Sequence, residues 1–137
     1  MSTQAGYSNT ALSKKLGIKP GFKIRLINPP AHYFDWLEPL PADTEFFEEP
    51  VQGADLIHFF TRQASQLATE LPALRTQIAS KGMIWVSWPK KASKVPTDVT
   101  EDVIRDLALS LSLVDVKVCA VDAVWSGLKL VIRVKDR

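Results

Sequence analysis

Two spacings of apolar residues alternate along this chain. Short runs rich in β-branched and aromatic residues predict strands over Phe22 to Asn28, Asp55 to Thr61 ("DLIHFFT"), Met83 to Trp88 ("MIWVSW"), Val114 to Val121 and Leu128 to Val134. Thr44 to Glu48 is a weaker strand. Apolar residues three and four apart predict helices between them. One set is Ala64, Leu67, Ala68, Leu71, Leu74 and Ile78, with Pro72 expected to kink it or start a second segment and Gly82 to end it. Another is Val99, Val103, Ile104, Leu107, Ala108 and Leu111. Two further helices are short. Thr10 to Leu16 has Ser8 or Asn9 as N-cap and Gly17 past its end. Ala31 to Leu37 is aromatic and stopped by Pro39 and Pro41.

Strands that alternate with helices predict an α/β fold: an open, mostly parallel, Rossmann-like sheet of five or six strands with helices on both faces. The unbroken apolar run "MIWVSW" fits a strand covered on both sides. The link from Glu48 to Asp55 is too short for a helix. Its seven Cα steps reach roughly 23–25 Å, just enough to cross under a short strand. The connection Asp122 to Gly127 is shorter than a parallel crossover needs, so the last two strands must be antiparallel neighbours or near neighbours. A chain of 137 residues fits one domain, 1–137, with residues 1–7 as a flexible tail.

Composition narrows the function classes. Hydrophobic residues are 46% and charged residues 23%, and 17 basic residues against 15 acidic give a net charge of +2. That balance supports neither a nucleic-acid nor a membrane partner, and an oligomer is not indicated. Cys119 is the only cysteine and cannot form an internal disulfide, which suits a reducing compartment. The polar start, Met1 to Thr10, has no apolar core of a secretory signal, so the expected location is cytoplasmic. His32 and His58 do not form a metal pair, and no metal is expected.

Candidate chemistry gathers where strands end. In open parallel sheets ligands bind beyond the carboxyl ends of the strands, where the strand order reverses. Here that crevice would lie between Asn28 and Thr61. Asn28, Thr61, Arg62, Trp88, Lys90 and Lys91 would line it, with His32 as a general-base candidate just past Pro29-Pro30. Such a set suits a small anionic or planar polar ligand. The alternative is that Asn28 closes a stiff turn, and that Arg62 and the lysines are solvated. In "PTDVTED", Asp98 and Glu101 are read as caps of the helix beginning near Val99. The same carboxylates would repel an anion. His58 is read as a hydrogen-bonded core histidine, Cys119 as a small buried hydrophobe, Trp125 as packing and Gly127 as a bulge or close approach.

The segments "AGYSNTALSKKLGIKPG", "WVSWPKKASKVPTDVTEDVIRDLAL" and "LVDVKVCAVDAVWSGLKLVIR" resemble a family of short bacterial proteins known only as a domain of unknown function. The order of elements also resembles a trimmed class I methyltransferase domain. "DLIHFF" and "MIWVSWPK" are similar to its fourth and fifth strands. That resemblance implies a last strand inserted antiparallel beside its neighbour. It also implies an acidic residue after the second strand, Glu48 or Glu49, to hold a ribose. The glycine-rich first turn is replaced by Asn28-Pro29-Pro30, and the prolines lack the N–H groups a phosphate cradle needs. On that ground no cofactor is expected, and S-adenosylmethionine is not expected to bind tightly. The reading at this level is a non-catalytic binding module for an anionic or nucleotide-like ligand. The alternatives are a methyltransferase-related enzyme with an unconventional cofactor site, or a protein-interaction domain using Tyr33, Phe34 and Trp36.

Overall fold

Side-chain alternation divides the central strands between two cores. Ile57 and Phe59 point to one face and Leu56 and Phe60 to the other. In the next strand Ile84, Val86 and Trp88 are separated from Met83 and Trp85 in the same way. A strand buried on both faces needs helices on both, and the computed structural model, which describes residues 11–137, has that arrangement. The elements are α1 (Leu12–Leu16), β1 (Lys23–Ile27), α2 (Tyr33–Leu37), β2 (Glu45–Phe47), β3 (Ala54–Phe60), α3 (Ala64–Gln77), β4 (Ile78–Pro89), α4 (Glu101–Leu109), β5 (Leu113–Ala120) and β6 (Trp125–Ile132). Leu67, Leu71 and Leu74 of α3 and Ile104 and Ala108 of α4 cover the first face. Leu12 and Leu16 of α1 and Tyr33 and Leu37 of α2 cover the second.

The six strands form one sheet in the order β2-β1-β3-β4-β6-β5. β1 pairs in parallel with β2 and with β3, and β3 with β4. β6 runs antiparallel between β4 and β5. The short link after β2 therefore does cross from one side of β1 to the other. The order reverses at β1, because the chain leaves it for β2 on one side and returns to β3 on the other.

Several boundaries differ from expectation for identifiable reasons. Pro72 lies within a single element, α3, and neither ends nor restarts it. The helix stops at Gln77, and Gly82 sits inside β4 rather than closing the helix. A Cβ at Gly82 would stand 2.8 Å from the Ala54 carbonyl oxygen, so the strands approach too closely there for a side chain. Asp98 does not cap α4. The α4 N-cap is Thr100, whose hydroxyl accepts from the Val103 N–H at 3.2 Å. Asp98 accepts instead from the Ala64 N–H, in the first turn of α3, at 2.7 Å. Gly17 closes α1 in the left-handed conformation, φ 82°, as its spacing predicts. The proposed Ser8 or Asn9 cap and the tail lie outside the described residues. No helix is long and apolar enough to cross a membrane among the described residues.

Candidate functional site

The adjacent carboxyl ends of β1 and β3 border a cleft of about 420 Å³, lined by Asn28, Phe60, Thr61, Arg62, Gln63, Gln66 and Trp125. That volume is within the usual range for small-molecule sites. Each wall has a local cause. β1 ends at Asn28, whose backbone turns left-handed, φ 56°. Asparagine tolerates that conformation better than most residues with a Cβ. Its side-chain Nδ2 donates to the Phe60 carbonyl at 3.3 Å and ties the two strand ends together.

β3 ends one residue later in the sheet. The Thr61 N–H donates to Ser87 of β4 at 3.0 Å. The Thr61 hydroxyl donates to Gln66 Oε1 at 2.6 Å and accepts from the Gln63 N–H at 3.2 Å, which shapes the entry into α3. The loop after β4 is fastened over the same junction. The Thr97 hydroxyl donates to the Arg62 carbonyl at 2.8 Å, beside the bond from Ala64 to Asp98. The far wall is Trp125, positioned where Asp122 Oδ1 accepts from the N–H groups of Val124 (2.9 Å) and Trp125 (2.7 Å).

Behind the cleft runs a buried polar relay. The Tyr33 hydroxyl lies 2.8 Å from His58 Nδ1, and His58 Nε2 lies 2.7 Å from the Ser87 hydroxyl. Neutral imidazole has one donor and one acceptor nitrogen, so each hydroxyl takes the complementary role. Burial lowers the His58 pKa to about 3 and raises that of the Tyr33 hydroxyl, with the charge of Cys119 a lesser cause for Tyr33. The relay is thus uncharged and satisfied near neutral pH. His58 stacks on Phe60 with ring centroids 4.2 Å apart, and Phe60 meets Trp125 edge to face at 5.1 Å. The relay holds the aromatic wall of the cleft in place.

The structure brings together some of the residues singled out from sequence and separates others. Asn28, Thr61 and Arg62 line the cleft. Trp88 does not: it is 8% exposed and packs in the core under α3 and α4. Lys90 is half-buried with its N–H bonded to the Val124 carbonyl, and Lys91 is exposed at the start of a 3-10 turn. His32 is exposed, with Nδ1 3.6 Å from Asp35. His58 is the core histidine expected of it, 0% exposed. Of the aromatic residues considered for partner binding, Tyr33 is buried, whereas Phe34, which meets Phe46 edge to face, is exposed. Phe60, Gln63, Gln66 and Trp125 were not singled out as site residues. Gln63 follows Arg62 directly and Gln66 lies one helical turn further on, so from sequence both are legible only as the start of a helix. Among the described residues no group of histidine, cysteine and carboxylate side chains could hold a metal ion.

The cleft can be weighed against an S-adenosyl group. Pro29 and Pro30 offer no N–H, but Asn28 supplies the left-handed turn and an unspent amide oxygen. β2 pairs with β1 up to Phe47 opposite Arg25, so the exposed Glu48 and Glu49 follow near the level of Leu26 to Asn28. The donors present fit a nucleoside held by side chains rather than by backbone amides.

No protein-family model matches the sequence, and no curated protein matches it. Solved structures do match the fold. A ribosomal protein L11 methylase from Lactobacillus delbrueckii subsp. bulgaricus is similar over 89% of this chain and 75% of its own, with 12% identity and a TM-score of 0.55. Magnesium protoporphyrin IX methyltransferase from Synechocystis PCC 6803, solved with bound SAM, is similar over 88% and 74%, with 7% identity and a TM-score of 0.59. DhpI, solved as a complex with SAH, is similar over 90% and 83%, with 11% identity and a TM-score of 0.59. These neighbours correct one expectation from sequence. The missing glycine turn predicts no tight binding of S-adenosylmethionine, yet chains of this architecture carry SAM or SAH, so the architecture gives no ground for setting the cofactor aside. The chain has the Rossmann-like fold of the class I methyltransferases.

Proposed function

We propose that this chain is a methyltransferase-related protein whose cleft between Asn28 and Trp125 takes an S-adenosyl ligand. The observation that carries the reading is the coincidence of the cleft with the reversal in strand order, where open α/β sheets bind ligands. The neighbours solved with SAM and SAH support the choice of ligand. In this reading Trp125 and Phe60 contact the adenine, Asn28 and Gln66 hydrogen-bond to polar edges, and Arg62 meets the amino-acid carboxylate. Glu48 or Glu49 takes the ribose hydroxyls. When bound, the cofactor would supply an electrophilic methyl group.

A second reading, a binding module without chemistry, is favoured by the lining itself. Among the described residues that line it, Arg62 is the one that is charged, and none is a histidine, lysine, cysteine or carboxylate that could take a proton; Glu48 and Glu49 lie outside this lining, on the ribose side. An acceptor methylated there would have to present a nucleophile that is already unprotonated. Thermal shift with SAM, SAH and adenosine tests both readings. Stabilisation of the parent that is lost in Asn28→Ala and in Arg62→Ala supports the cleft as an S-adenosyl site. No stabilisation by any of the three contradicts it. Stabilisation by SAM without methyl transfer to any added thiol or amine favours the second reading.

A further inference from the structure

A second feature lies on the sheet face covered by α1, away from the cleft. In the pairing of β5 with β6, Lys117 stands directly opposite Lys129. Residues directly opposite on antiparallel strands point to the same face, with Cβ atoms about 4.5–5.5 Å apart. Lys129 is in turn opposite Trp85 of β4, a member of the core under α1 and α2. The lysine stem therefore borders apolar surface, with Lys117 beside it on the same face. From α1, Lys15 reaches across and donates to the Ala120 carbonyl at 3.2 Å.

Like charges directly opposite are destabilising. Burial, then the charges of Lys117 and of Lys19 in the turn after α1, lower the Lys129 pKa, in line with the register of the two strands. None of the ion pairs among the described residues involves Lys19, Lys117 or Lys129. Residues 1–10, which precede α1, contain no aspartate or glutamate at all. The nearest charge on β5, Asp115, is bound to Arg105 of α4 on the opposite face. A half-buried lysine facing others without a carboxylate is a local conflict of the kind expected at functional sites.

We propose that Lys19, Lys117 and Lys129, with Lys15 at the rim, form a binding site for a compact oligophosphate group. Lysine binds phosphate as a point charge and needs no planar fork, whereas carboxylate recognition favours arginine, which is missing from this cluster. The charges come from two adjacent strands and one helix end, a footprint suited to two or three linked phosphates. Lys129 lies four residue steps along β6 from Trp125, about 13 Å, so the site is distinct from the cleft.

Calorimetric titration of the full chain with inorganic tripolyphosphate, in low salt, tests this. We expect tripolyphosphate to bind the parent on the order of tenfold more tightly than orthophosphate. The double variant Lys117→Gln/Lys129→Gln should lose binding by a similar factor, and Asn28→Ala should keep it. Without ligand, the double variant should melt no lower than the parent, and its advantage should shrink as salt is raised. Equal tripolyphosphate affinity in parent and double variant, or no binding to the parent, would overturn the proposal. A lower melting temperature for the unliganded double variant would overturn it too, because the lysines would then be structural.

Discussion

His58 is the residue whose environment makes the firmest commitment. It is wholly buried between two hydroxyl groups, and burial brings its pKa from 6.5 to about 3. The unfolded chain takes up a proton near pH 6.5 and the folded chain does not until about pH 3. Stability from this group is therefore complete above pH 6.5 and is lost as pH falls from 6.5 towards 3. The slope approaches 1.4 kcal/mol per pH unit. Urea unfolding at pH 7 and pH 5 should show that loss in the parent, with a smaller loss in His58→Gln. Equal losses would remove His58 from the explanation. Gly127 is a second residue with no freedom. A Cβ there would meet Ser87 Oγ and Trp85 Cε3, each at 3.1 Å. Gly127→Ala should cost about 1–3 kcal/mol by overpacking, read as a lower urea midpoint with an unchanged slope.

Among the elements, α3 depends on a residue far away in sequence. Its first-turn N–H at Ala64 is satisfied by Asp98, and Thr97 binds the preceding Arg62 carbonyl. Asp98→Ala should cost about 0.5–2 kcal/mol, the range for loss of a cap. Hydrogen exchange decides which helix is capped: amide exchange should quicken at Ala64 and stay unchanged at Val103. Faster exchange at Val103 alone would return Asp98 to α4. The pattern of residues made the strands and helices legible because burial on two faces dictates period 2 in β3 and β4, and one-sided burial dictates the spacing in α4. Capping was not legible to the same degree. "PTDVTED" offers both Asp98 and Thr100 before one helix, and only the tertiary fold shows that Asp98 serves another. Gly82 likewise reads locally as a helix stop. What requires glycine there is the backbone of Ala54, which no local pattern reveals.

For the whole molecule, the strand order turns these local features into a site. Asn28, Thr61 and Arg62 could be placed at one crevice from sequence, because parallel strands ending at them must end on the same side of the sheet. Trp125, Gln63 and Gln66 could not. Trp125 enters only because β6 inserts antiparallel between β4 and β5 and begins at the edge where the others end. Trp88 was misplaced for a related reason: its position at the end of β4 is right, but the alternation of that strand turns its ring into the core beneath α3 and α4. The same topology makes Trp125 a reporter. Its indole lies in the cleft wall, whereas the Trp85 indole is buried and donates to the Leu16 carbonyl at 3.0 Å.

The most direct test of an S-adenosyl ligand in this cleft is therefore an NMR titration of the four tryptophan indole N–H signals with SAH. The signal assigned to Trp125 by Trp125→Phe should move saturably, those of Trp85 and Trp88 should stay, and Asn28→Ala should weaken the response. A saturable shift that spares Trp125, or no shift at all at millimolar SAH, would contradict the assignment of the cleft.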